Sequence, residues 1–366
     1  MRAWIPKPAG WIVGACTVVF ALGARAVPPA PAATFDQVVA QAKKEGQLNL
    51  WWEVPGEQDV LNQWQAAFKK RFGFNLQVNV TPLPSRKGTP RFVTEARAGR
   101  VDVDLLYVSE PELIFKDGLL QEFALAETFG DKLPDLKAVV QNTPSHRRGY
   151  SVDIATFVYG MVYNTKRTKP EELPKTLEEF AAGKGFADPK WRGNFVVNST
   201  GPASPLSDLA ANGYWSVEKV KKTIQLLLAN KPLLKRGSGD MRLAVATGEV
   251  AAGMGSIGGT IGLAKQGYPI EMAFFDDVLF YGATQMAIPK KAKHPAAALL
   301  YLAFILQDGL PIVDRTLGEG TIADPRAGIS KLLEKKPGAK RLEWSAEDVA
   351  SGKREEIRND LMKLLP

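Results

Sequence analysis

Two short patterns in this sequence have residue types and spacing that can do chemistry. Gly253-Met254-Gly255-Ser256-Ile257-Gly258 is a G-x-G-x-x-G run, set after a strand-like stretch and before a helix-like one, with Asp276 downstream. Such a run binds a dinucleotide: glycines let the backbone approach the pyrophosphate, and the acid takes a ribose hydroxyl. Ser216-Val217-Glu218-Lys219 has the S-x-x-K spacing of a serine–lysine hydrolase. Each has a plainer explanation. Ser216 follows Tyr214-Trp215 and opens a helix-like run, so it reads as an N-cap with Lys219 on the solvent face. Met254 occupies the position where a G-x-S-x-G elbow around Ser256 needs its first glycine, and the G-x-G-x-x-G run lies late in the chain. The two histidines, His146 and His294, have no nucleophile nearby in sequence, and His294 precedes Pro295 at a helix start, where a capping or surface role explains it. The expectation is a protein that is not an enzyme, with no catalytic residue and no cofactor.

The amino terminus predicts export. Arg2 and Lys7 precede an apolar run from Trp11 to Ala24, and Ala24-Arg25-Ala26 offers small residues for cleavage. This is the plan of a secretory signal peptide over residues 1–26, with an apolar run too short to span a bilayer. Val13-Gly14-Ala15-Cys16 loosely resembles a lipoprotein box, but only Trp11 to Ala15 precedes it as an apolar stretch, so cleavage near Ala26 into the periplasm is the expectation. Cleavage removes the single cysteine, Cys16, which excludes disulfides, thiol nucleophiles and cysteine metal sites. It also lowers the formal charge of +8 by three, through Arg2, Lys7 and Arg25. The remaining basic residues are interleaved with acids, as in Lys43-Lys44-Glu45, so no nucleic-acid surface is expected. An exported protein also meets little free nucleotide cofactor, which counts against the dinucleotide reading.

The elements that must position any site alternate. After a proline-rich leader at residues 27–33, Thr34 caps a helix bearing Phe35, Val38, Val39 and Ala42, and Gly46 ends it. Leu48 to Trp52 reads as a buried strand. A helix over Glu57–Phe72, an alternating strand at Leu76, Val78 and Val80, a helix over Arg91–Ala98, a strand over Val101–Val108 and a helix over Pro111–Lys116 follow. The same grammar continues with strands at Ile154–Tyr163, Phe195–Asn198, Glu249–Met254, Ile270–Phe275 and Ala283–Ile288. Between them lie helices at Pro205–Ala211, Val217–Ala229 and Met241–Thr247, the last capped by Asp240. An apolar core helix over Pro295–Leu306 and a polar helix over Ala346–Leu364 close the chain, and no stable membrane insertion is expected. Strands alternating with helices predict an α/β fold, and ligands in open sheets of this kind lie beyond the carboxyl ends of the strands. That rule selects Trp52-Glu53, Pro84-Ser85-Arg86 and Ser109-Glu110. Asn198-Ser199-Thr200-Gly201 and Arg236-Gly237-Ser238-Gly239-Asp240 are loops whose backbone N–H groups suit a carboxylate, phosphonate or phosphate, or equally a turn with an N-cap.

From Val158 onward the sequence resembles the iron(III)-type group of extracellular solute-binding proteins of ABC transporters. The residues that carry this are VYGMVYNTKRTKPEELPKTLEEFA, FADPKWRGNFVV, RGSGDMRLAVATGEVAAGMG, ATQMAIPKKAKHPAAALLYLAFIL and EEIRNDLMKLLP, with VDVDLLYVSEPELIFKDGLLQEF in the first half. The resemblance implies a two-lobed periplasmic binding protein type II fold, each lobe a mixed sheet flanked by helices, joined by crossing hinge strands and closing on a ligand between them. On that analogy residues 34–153 are the first part of lobe one, 154–279 lobe two, 280–320 the return to lobe one and 321–366 a tail and helix. It also implies a monomer that delivers a small solute to an ABC permease, or a periplasmic sensor adaptor that uses the same closure, and it makes the loop at Ser256 a ligand loop.

Ferric-binding relatives hold iron with adjacent tyrosines on that loop, helped by histidine and glutamate from lobe one. Here the loop reads Gly255-Ser256-Ile257-Gly258-Gly259-Thr260 and the lobe-one loop Glu53-Val54-Pro55-Gly56, so only Glu53 and Glu110 remain as hard oxygen donors. An organic or oxyanionic solute is therefore expected, and no metal. The candidate ligand residues are Trp52, Glu53, Ser109 and Glu110 from lobe one and Ser199, Thr200, Arg236, Ser238 and Ser256 from lobe two, with Tyr281 at the hinge. Trp52 and Tyr281 serve as apolar walls, Trp52 equally as core.

Overall fold

Thr34 caps the first helix as expected. Its hydroxyl accepts from the Gln37 N–H, and the Gln37 side chain accepts in return from the Thr34 N–H. This capping box opens α1 (Phe35–Glu45), and Gly46 ends it at a φ of 67°, a left-handed conformation that glycine adopts without steric cost. The computed structural model describes residues 33–52, 57–199, 206–257, 259–342 and 351–364. The leader and its cleavage site, Glu53 and Thr200 lie outside them.

After α1 come β1 (Gln47–Trp52), α2 (Glu57–Phe72), β2 (Gln77–Pro82), α3 (Ser85–Arg97), β3 (Leu105–Val108), α4 (Pro111–Lys116), α5 (Leu125–Phe129) and α6 (Asp135–Asn142). The long strand β4 (Ser151–Asn164) leads to α7 (Leu177–Ala181), β5 (Phe195–Asn198), α8 (Leu206–Ala211), α9 (Val217–Ala229), β6 (Leu233–Lys235), α10 (Gly237–Ala246), β7 (Ala252–Ser256), α11 (Thr260–Lys265) and β8 (Ile270–Ala273). A second long strand, β9 (Val278–Ala287), is followed by α12 (Pro295–Phe304), α13 (Leu310–Leu317), α14 (Gly328–Glu334), β10 (Lys340–Leu342) and a terminal helix Lys353–Met362.

The strands run β2-β1-β3-β9-β4-β7-β5-β6, with β8 on β4 and β10 on β9. β1 pairs in parallel with β2 and β3, and β5 in parallel with β6 and β7, which is the βαβ pattern the alternation predicts. β4 and β9 bind these two groups together. From Ser151 to Val158, β4 pairs antiparallel with β9; from Tyr159 to Tyr163 it pairs antiparallel with β7. Its side chains divide accordingly. Val152 and Ile154 enter a core with Leu50, Trp64, Phe68 and Phe304, whereas Met161 and Tyr163 enter another with Phe180, Phe195, Leu209 and Trp215. This is a two-lobed α/β fold with mixed sheets and crossing strands. The chain ends on the second core, through Leu342 and Leu361.

Three local readings change. The helix expected over Pro295–Leu306 continues as one run from Pro295 to Leu317, long and apolar enough to cross a membrane, but 78% of its apolar window is buried inside the protein. Polar Gln307 and Asp308 conceal the continuation, because they sit on a π-helical turn, Ile305–Gly309. A π turn leaves main-chain carbonyls poorly paired. Here Arg326 donates to the carbonyls of Leu306 (2.7 Å) and Gln307 (2.8 Å), and the Trp64 indole donates to that of Gly309 (3.0 Å). Helix α10 begins at Gly237, so Asp240 sits in its first turn and does not cap it. Ser85 belongs to α3, not to a loop.

Candidate functional site

Trp52 ends β1, only 2% exposed, and its ring stacks on Trp64 with centroids 4.7 Å apart and planes 17° from parallel. It also lines a cavity of about 20 Å³ with Trp64, Tyr107, Ile154, Ala155 and Glu319. Trp52 is thus a core side chain at the end of β1, and the void beside it has room for about one water. After β3, the Ser109 hydroxyl donates to the Ser85 hydroxyl at 2.9 Å, which fastens that loop to the start of α3. Glu110 follows at a φ of 59°, an unusual left-handed backbone for a non-glycine residue.

In the second lobe, Asn198 Oδ1 accepts from the Gly237 N–H at 3.1 Å, and the Ser199 N–H and hydroxyl both donate to the Lys235 carbonyl, at 2.8 and 3.1 Å. These bonds join the end of β5 to the start of α10, with Ser238 half-buried and Arg236 exposed beside them. Ser256 ends β7, 6% exposed, in register with Tyr159 of β4, and its carbonyl accepts from the Thr260 hydroxyl. Tyr281 pairs through its backbone with Val158 on the crossing strands.

Sequence reasoning missed two desolvated charges, Arg242 and Glu319. Arg242, on α10, lies against Gly259: a Cβ built on Gly259 would sit 2.6 Å from Arg242 Nη2, 2.8 Å from Cζ and 2.9 Å from Nε. Only a residue without a side chain lets the guanidinium lie there. Glu319, in the loop after α13, faces Arg242 electrostatically, yet among the described residues neither makes a hydrogen bond or an ion pair. Burial lowers the Arg242 pKa, against the pull of Glu319 and Tyr159; burial raises that of Glu319, against the pull of Arg242. A desolvated charge without a hydrogen-bonded partner is costly, and such costs concentrate at binding sites.

A raised carboxyl pKa has a defined effect on stability. The protonated form is favoured by the fold, so the stability tied to Glu319 is present below its unfolded value, near pH 4.3, and is lost as pH rises through the higher folded value. Glu319→Gln should therefore raise the melting temperature of the unliganded protein at pH 7 by about 1–4 °C, with the gain shrinking toward pH 4. Melting curves of both proteins across that range check this, and a pH-independent loss would contradict it.

The patterns that first suggested enzymes have structural explanations. A Cβ on Gly253 would meet Val196 Cγ1 at 2.6 Å, and one on Gly255 would meet Met241 Cε at 2.6 Å, so these glycines admit close sheet and helix packing. The Ser216 hydroxyl accepts from the Lys219 N–H at 3.1 Å as an N-cap. Lys219 is held by Glu178 at 2.5 Å and lies over the Trp215 ring, so it is a paired cation instead of a purely solvated one. His294 bonds through Nδ1 to Asp104 Oδ2 at 2.8 Å, and Asp104 is fully buried, so this histidine ties the start of α12 to β1 and β3. Among the described residues no three His, Cys, Asp or Glu side chains gather as a metal site would require.

The family pattern described as "Bacterial extracellular solute-binding protein" matches residues 63–309. No curated protein sequence matches the chain. Similar solved structures include iron-bound HitA from Pseudomonas aeruginosa, with 20% identity, a TM-score of 0.63, and 86% of this chain and 99% of that one covered. The substrate-binding protein of an ABC transporter from Agrobacterium tumefaciens is 16% identical with a TM-score of 0.67, covering 88% and 96%. AgtB from A. tumefaciens R10, in complex with agropinic acid, is 18% identical with a TM-score of 0.61, covering 87% and 98%. At these identities the likeness is one of fold.

Proposed function

Since the chain belongs to the bacterial extracellular solute-binding protein family, we propose that it captures a small organic anion between its lobes outside the cytoplasmic membrane and delivers it to an ABC permease. The observation that carries the anionic part is Arg242, a desolvated guanidinium without a hydrogen-bonded partner among the described residues, on the helix that starts at the Asn198–Gly237 tie. A carboxylate or phosphonate can accept two parallel N–H bonds from it, which restores what burial removed. Ser256 ends β7, on which α10 packs, in register with Tyr159 of the crossing strand β4.

Closure is a hinge motion in this reading. The pairing of β4 with β9 is continuous between the two cores except for an irregularity between Asp153 and Ala155, so bending is concentrated in few residues. Ligand contacts to both sides favour the closed form. The protein acts as an exported monomer, cut near Ala26, without cofactor, catalytic residue or nucleic-acid partner. A bare ferric ion is disfavoured because it needs several anionic oxygens at one point.

A thermal-shift screen tests this with carboxylates, phosphonates, sugar phosphates, polyamines and ferric citrate. An organic anion at a hundred times its Kd should add about 2.7 kcal/mol and raise the melting temperature by several degrees. Polyamines should give no shift, and ferric citrate no visible charge-transfer band. Retention of stoichiometric iron through gel filtration, or a response to polyamines alone, would overturn the proposal.

A further inference from the structure

Resting on the proposal that the lobes close by bending β4 and β9, we infer that Thr156 limits how far they open, by fastening the C-terminal chain to β4 as a third member of the hinge. Thr156 lies one residue past the irregularity between Asp153 and Ala155. Ile154 before it enters the first core, and Met161 after it enters the second. On one flank β4 pairs with β9 from Ser151 to Val158. On the other, β7 becomes its neighbour only at Tyr159, and the Val158 carbonyl accepts from the Ile257 N–H at 2.9 Å. Two residues earlier that flank is taken by the chain returning from α13. The Thr156 N–H donates to the Gly320 carbonyl at 2.8 Å, and the Thr156 hydroxyl accepts from the Ile322 N–H at 3.0 Å. Thr156 is 5% exposed, and Thr321, whose hydroxyl lies 3.4 Å from its own, is fully buried, so water does not compete for these bonds.

The returning chain is anchored to both cores around this point. Ala323 enters the first core, and Arg326 holds the carbonyls of Leu306 and Gln307 and the Asp135 carboxylate. Beyond it, Ala327, Ile329 and Leu333 pack on Val158, Ile257 and Leu279, and β10 pairs in parallel with the start of β9. Leu342 and Leu361 then enter the second core. A ribbon of two strands twists and bends readily, whereas a third chain held to both cores must shear when the lobes swing apart. Thr156 is where that chain grips the bending segment, so its hydroxyl is a positioning group that acts through β4. Losing the grip leaves the Ile322 N–H without its acceptor and lets the open state spread over more arrangements.

Pulsed electron paramagnetic resonance on the solute-free protein tests this. Spin labels go on Lys43→Cys of α1 and Lys222→Cys of α9, both exposed positions, with Cys16→Ser removing the native thiol. Thr156→Val should broaden the interlobe distance distribution, and Thr156→Ser, which keeps the hydroxyl, should restore the wild-type width. Hydrogen exchange on the wild type keeps the test decisive if the valine variant does not fold: the Ile322 amide should exchange at least about tenfold more slowly than an unstructured one. An unprotected Ile322 amide, an unchanged width in Thr156→Val, or a serine variant as broad as the valine variant would overturn the inference. So would a lower melting temperature with no broadening, the mark of an ordinary structural hydroxyl. Closure is read separately, by adding solutes from the screen to the labelled wild type. If none shifts the distance, the closure reading fails, although broadening in Thr156→Val would still uphold the grip on the hinge.

Discussion

Arg242→Met should bind the anionic solute about 30- to 1000-fold more weakly than the wild type, a loss of roughly 2–4 kcal/mol. Methionine keeps most of the apolar stem of arginine and therefore its packing, but it removes every N–H donor and the charge. The loss is large because the guanidinium is desolvated, so a carboxylate reaching it faces less competition from water. Unliganded stability should hold or rise, since a costly buried charge disappears. Gly259→Ala offers an independent approach to the same group. Its φ of 73° is strained for alanine, and the added carbon would lie 2.6 Å from Arg242 Nη2, so the arginine must move although it is still present. Calorimetry should show Gly259→Ala weakened as well. Undiminished affinity in Arg242→Met would remove the basis of the anion proposal.

Trp64→Ala should cost the fold about 3–5 kcal/mol, the range for truncating a large aromatic side chain in a core. Trp64 is 1% exposed, stacks on Trp52 and meets Tyr301 edge-on. Its indole N–H also satisfies the Gly309 carbonyl at the π turn, and Gly309 has no room for a side chain, since a Cβ there would lie 3.2 Å from the Trp64 ring. Truncation therefore opens a cavity behind Trp52 and leaves a buried carbonyl without its donor. Trp64→Phe keeps most of the volume and should cost less than half as much. Urea unfolding monitored by circular dichroism measures both. A loss below about 1 kcal/mol for Trp64→Ala would show that this lobe does not depend on the stack.

Much of the fold was legible because its signals are local. Thr34 and Gln37 cap α1 in the way their spacing predicts, and Ser216 caps α9 with Lys219 three residues on. The alternation of strand and helix patterns led to parallel βαβ units, which β1, β2 and β3 form. The G-x-G-x-x-G run was set aside as a dinucleotide cradle, and at Gly253 and Gly255 the space is filled by Val196, Met241 and Val162. An error arose where a local signal had two meanings. Gln307 and Asp308 looked like the end of a helix, but a π turn carries the helix on while Arg326 and Trp64 take the freed carbonyls.

What the sequence determined by itself was the class of fold and where several of its strands end, because hydrophobic period, caps and turns act over a few residues. Trp52 and Ser256 were reachable on that basis: each ends a strand. Arg242 and Glu319 were not. One lies within a helix and the other in a loop far along the chain, and neither position is distinguished by periodicity or by a motif. The burial that shifts each of them, and the pull each exerts on the other, arise only once α10 packs on β4, β5 and β7 and the chain returns through β9 to α13. Desolvation is a property of that juxtaposition and not of either residue. Only the tertiary structure could decide that these two charges, among so many ordinary surface ones, are removed from water and feel each other's field.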